Sequence, residues 1–120
     1  MFQAAHNLFE RIKVTTKLML YGFLELQGDT NSTDASALSV VTGNTFMVSA
    51  GAETRTLANG IDGQVKTLIY ITHVGNITVT PANLAAGTQI TFSAAGACWQ
   101  GVFKKGEWIT MFVSTGAAVT

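Results

Sequence analysis

Side chains able to carry covalent, acid–base or metal chemistry are scarce in this chain. They are His6, His73, a lone Cys98, seven carboxylates and the hydroxyls, spread over 120 residues. A cysteine nucleophile needs a partly exposed thiol beside an imidazole. Cys98 sits between Ala97 and Trp99 in a strand-like stretch, where a small buried hydrophobe is the expected role. His6 stands in an N-terminal segment of unlike composition, and His73 falls in a turn between two extended stretches. Zinc takes paired His or Cys at short spacings, and the sequence has none. The run Asp29-Thr30-Asn31-Ser32-Thr33-Asp34 offers oxygen ligands of the kind calcium takes, but it lacks the glycine and distal glutamate of an EF-hand loop. It reads instead as a polar turn whose Asp and Asn side chains bond the local backbone. Gly60 and Gly63 lack the Lys-Ser/Thr ending of a phosphate loop. No catalytic, cofactor-binding or metal-ligating set is expected, and the chain is not read as an enzyme.

Binding chemistry is the remaining possibility. The aromatics Tyr70, Trp99, Phe103, Trp108 and Phe112 could form a sugar-stacking platform, but core and interface packing is the better account of them. Asn31-Ser32-Thr33 and Asn76-Ile77-Thr78 match the glycosylation sequon. Without a secretory signal the matches carry no weight. The apolar run Leu18 to Leu24 follows Arg11, Lys13 and Lys17, yet it is short, is followed by Glu25 and has no small-residue cleavage site. No stretch approaches the roughly 20 apolar residues of a membrane span, so no membrane partner is expected.

Composition narrows the class further. Seven basic and seven acidic residues cancel, only 12% of residues are charged and 48% are hydrophobic. That excludes a disordered tail, a nucleic-acid binder working through a basic surface, and a disulfide scaffold. The unpaired cysteine fits synthesis in a reducing compartment. Seventeen threonines, with many Val and Ile, favour the pleated surface of a sheet. So few charges leave a small monomer poorly solvated, and the simplest remedy is that other subunits cover part of the surface.

The periodicity places these residues on elements. Over 1–17, Phe2, Ala5, Leu8 or Phe9, and Ile12 recur at helical spacing, which predicts a short helix or an extended arm ordered against a partner. From residue 18 the period becomes two, and 18–120 reads as one β domain. Leu18 to Leu26 alternates first. Leu38 and Val40 then alternate with Ser39 and Val41, and Phe46 and Val48 with Thr45, Met47 and Ser49. Further strands are expected over Glu53 to Leu57, Val65 to Thr72, around Ile77 and Val79, around Ile90 and Phe92, over Ala97 to Phe103, and over Glu107 to Ser114. Asn59-Gly60, Asp62-Gly63 and Lys105-Gly106 mark turns. The expected fold is all-β: an antiparallel β-sandwich or barrel-like, jelly-roll-like domain with a short N-terminal helix or arm.

Two strands look apolar on both faces. Trp108 and Phe112 share one side of the last strand by alternation, with Ile109, Met111 and Val113 on the other. Leu68 and Tyr70 pose the same problem on the strand starting at Val65. One small core hides one face only, so Tyr70, Trp108 and Phe112 are expected at an oligomer interface.

The residues from 56 to 116 carry a resemblance. They include Thr56-Leu57-Ala58-Asn59-Gly60-Ile61-Asp62-Gly63-Gln64, then Asn76-Ile77-Thr78-Val79-Thr80-Pro81, then Gln89-Ile90-Thr91-Phe92, and a closing Trp99 to Trp108 hairpin. Their order and spacing resemble a C-terminal β-module of structural proteins in tailed bacteriophages and other, often marine, viruses. The resemblance covers about half the chain and implies a virion component made in the host cytoplasm. It would be a capsid decoration (cement) protein on the major capsid protein, commonly a homotrimer, or alternatively a head or tail fibre or receptor-binding module. A carbohydrate-binding module is a further alternative. On the decoration reading, Phe2, Leu8, Phe9 and Ile12 are the expected capsid contacts.

Overall fold

A computed structural model of the chain describes residues 28–120. The expected arm over 1–17, the strand over 18–26 and the contacts assigned to Phe2, Leu8, Phe9 and Ile12 lie outside the described residues. Those described form ten strands and no helix. These are β1 (Gly28–Asn31), β2 (Ser36–Leu38), β3 (Asn44–Val48), β4 (Glu53–Leu57), β5 (Val65–Thr72), β6 (Ile77–Pro81), β7 (Ile90–Phe92), β8 (Cys98–Lys104), β9 (Glu107–Val113) and β10 (Ala117–Val119). They make two five-stranded sheets, ordered β1-β3-β5-β8-β9 and β10-β7-β6-β4-β2. The all-β sandwich expected from the alternation is the fold observed.

The sheets are mixed, however, and not wholly antiparallel. The first six strands alternate between sheets, so β1, β3 and β5 run parallel in one and β2, β4 and β6 run parallel in the other. Each turn carries the chain across to the opposite sheet, so three successive coils stack as in a flattened solenoid. Alternation reports that one face of a strand is buried, and it is the same for either pairing direction. Only the second half folds by antiparallel pairing, β5 with β8, β8 with β9, β6 with β7 and β7 with β10. Lys105 and Gly106, both at positive φ, close the β8–β9 hairpin as that dipeptide predicts.

Stacking the coils lines up inward side chains in columns that change character along the stack. Asp29 is in register with Thr45 and then Leu68; Asn31 with Met47 and then Tyr70. On the second sheet Ser36 precedes Arg55 and Val79. The first coil is mostly polar inside apart from Leu38, the second is mixed, and the third is apolar apart from Lys66. Beyond it lies an aromatic centre. Trp108 meets Trp99 at 6.3 Å and Phe103 at 5.2 Å between ring centroids, both edge to face. Gly101 makes room for the Trp99 ring, since a Cβ there would lie 2.4 Å from it. The turns at one end of the coils are equally close: a Cβ on Gly75 would lie 2.4 Å from the backbone of Gly51 and Ala52.

Candidate functional site

Of the three residues expected at a subunit contact, two are core. Tyr70 and Trp108 have no exposed surface. The Tyr70 hydroxyl bonds Ser49 Oγ and the Gly75 carbonyl, and Trp108 Nε1 donates to the Ala58 carbonyl at 3.0 Å. Phe112 alone stands outside, 53% exposed. The cause is a β-bulge. Gly101 pairs with Thr110 but Gln100 pairs with Phe112, which leaves Met111 unpaired and turns Phe112 to the face opposite Trp108. The four-residue spacing that put Trp108 and Phe112 on one side does not survive that extra residue.

A second surprise is charge in the interior. Lys66 and Arg55 are both buried. Lys66 Nζ donates to the Thr42 carbonyl at 3.0 Å and to the hydroxyls of Thr42 at 3.1 Å and Thr45 at 2.5 Å. Those hydroxyls in turn donate to Asp29 Oδ1 at 2.5 and 2.7 Å. Burial pushes the Lys66 ammonium pKa down, and the Asp29 carboxylate partly offsets it. Arg55 crosses between the sheets. Its Nε donates to Asn31 Oδ1 at 2.5 Å, and Nη2 donates to the Val48 carbonyl at 3.1 Å and Glu53 Oε2 at 3.0 Å. Among the described residues no buried side-chain nitrogen or oxygen lacks a partner. A cluster satisfied from within holds the polar end of the stack together and has no valence aimed at a ligand.

Glu53 gives this cluster a pH signature. A hydrogen bond from the Ala50 backbone N–H, then one from Arg55, holds its pKa below the ordinary carboxyl value. A depressed carboxyl stabilises the fold above its unfolded pKa and loses that contribution as pH falls through the folded one. Thermal unfolding from neutral to about pH 3 should therefore show a steeper acid loss in the wild type than in Glu53→Gln. Equal acid limbs would mean that the pairing contributes nothing.

Cys98 is half-buried on the outer side of β8, and burial pushes its thiol pKa up, away from the reactive thiolate. It is therefore less deeply buried than the sequence suggests. His73 is exposed, edge-on to Tyr70. No group of three or more His, Cys, Asp or Glu among the described residues could hold a metal ion. Asp34 Oδ1 accepts from the backbone N–H groups of Ala35 at 2.8 Å and Thr54 at 2.9 Å, so this part of the Asp29 to Asp34 segment serves the backbone. A shallow, mainly apolar depression of about 650 Å³ lies beside Val40, Val41 and Ile61 and also carries Asn59, Asp62 and Gln64. The Gln64 amide is taken up by the Val40 carbonyl and the Ile61 N–H, however, and Asp62 by Lys104 and the Lys105 N–H.

What distinguishes the molecule is the contrast between its two outer faces. On the second sheet the outward positions are Ala37, Thr54, Thr56, Thr78, Thr80, Thr91 and Ala118, with Thr54, Thr78 and Thr91 in one register row and Thr56 beside Thr80. On the first sheet the outward positions are mostly apolar. Phe46 and Val48 face out from β3 while Thr45 and Met47 face in, because Thr45 must reach Asp29 and Lys66. Val65, Ile71, Ile109 and Phe112 are exposed on the same sheet. This apolar face is the candidate site, and it is an interaction surface, not a pocket. No protein-family model matches the chain, and no similar protein is found among curated ones.

Proposed function

We propose that the protein is a virion structural component, a capsid decoration or cement protein that binds the outer surface of a phage head and stabilises it as an oligomer. The observation that carries the reading is the apolar outer face of the first sheet, on a domain in which no buried side-chain nitrogen or oxygen among the described residues lacks a partner. The resemblance over residues 56 to 116 supports it from the sequence side. A protein of this kind works by contact area: each bound copy favours the assembled shell by mass action, as a ligand favours a fold. It needs no catalytic group. The major capsid protein is the partner, through Phe2, Leu8, Phe9 and Ile12, and copies of the chain associate, as a trimer on the family's pattern.

The test is cosedimentation with purified heads, followed by heating. Heads carrying the protein are expected to release DNA at a higher temperature than bare heads, and removal of residues 1–13 should abolish binding. Failure to cosediment at micromolar concentration would overturn the reading. Gold-labelled protein found at a fibre tip, and not over the head, would move it to the fibre class.

A further inference from the structure

We infer that copies of this chain pack on one another through the outer face of the first sheet and its edge at β9. The inference deepens the oligomeric part of the reading above and rests on it. The face is an apolar field around one polar pair, Thr67 and Gln100, which bond each other at 3.0 Å and so need no partner across a contact. Val65, Val102 and Ile109 lie in one register row, and Thr67, Gln100 and Phe112 in the next. Charge returns at the β8–β9 hairpin, where Lys104 stands opposite Glu107. The edge adds to the face. Loop residues Asn83 and Ala85 bond the backbone of Trp108, but farther along β9 Met111 and Val113 are exposed at 51% and 40%.

The area is sufficient. Val65, Ile71, Ile109 and Phe112 on the face, with Met111 and Val113 along the edge, are each 39–53% exposed and supply most of the non-polar part of such a contact. A standard interface takes about 800 Å² from each partner, a little under 60% of it non-polar. Two other surfaces are less suited. The second sheet presents mostly threonine, whose hydroxyls water solvates well. Among the described residues, the coil of β1 and β2 turns Asp29, Asn31 and Ser36 inward and presents no comparable apolar face.

Sedimentation equilibrium of the full chain over the micromolar range tests this, with Phe112→Asp and Ile109→Asp as variants at exposed positions. The wild type is expected to be an oligomer, and each variant to associate about tenfold or more weakly with unchanged circular dichroism. Cys98 lies on the same face, so its alkylation by iodoacetamide should slow as wild-type concentration rises. If a variant unfolds, this measurement on the wild type decides. A wild-type monomer throughout, or an alkylation rate independent of concentration, overturns the inference and leaves the face to the shell or to residues 1–27. Head binding is scored separately. Oligomers that ignore heads sustain this interface and remove the virion reading, whereas monomers that bind heads overturn the interface alone.

Discussion

Trp108→Ala is expected to destabilise the fold by about 3–5 kcal/mol, the range for emptying a large buried aromatic site. In a domain of this size that lowers the melting temperature by more than about 10 °C. Trp108 touches three parts of the structure at once. Its ring meets Trp99 and Phe103, its N–H bonds the Ala58 carbonyl, and it lies under Gly60, where a Cβ would be 3.1 Å from the indole. Truncation therefore leaves a cavity and also releases the connection between β4 and β5. Thermal or denaturant unfolding measures it. A loss below about 1 kcal/mol would mean that the neighbouring rings collapse into the space, and that the aromatic centre does not hold the antiparallel half.

Arg55→Ala is expected to cost about 3 kcal/mol or more, by a different physical route. Arg55 is 1% exposed and joins β4 to β1 and to the end of β3 through Asn31 and the Val48 carbonyl. Removing it leaves the Val48 carbonyl and Glu53 Oε2 without that donor in a partly buried site, and the cost of unmet buried groups exceeds the modest net gain of making the bonds. Arg55→Met should recover part of the loss, because it refills volume without restoring the donors. If Met matches the wild type, the guanidinium is dispensable and the first two coils are held by packing alone.

The threonine-rich strands, their turns and the alternation of buried positions were legible in the sequence, since each is local. Ile77, Val79, Ile90 and Phe92 turn inward as their spacing indicates. Three features were not. The parallel winding of β1 to β6 depends on which sheet each turn delivers the chain to, and a period of two is blind to that. The burial of Lys66 and Arg55 depends on partners 21 to 24 residues away, namely Thr42, Thr45 and Asn31. The outward turn of Phe112 depends on a bulge, which is a property of two paired strands and not of one.

The division follows from the range of the forces. Composition and periodicity alone determined that the chain folds as a β domain, because they count side chains and the side each takes on its own strand. Which of those side chains became core and which became surface was decided by pairing between distant strands. Register placed Tyr70 and Trp108 inside, and one unpaired residue, Met111, placed Phe112 outside.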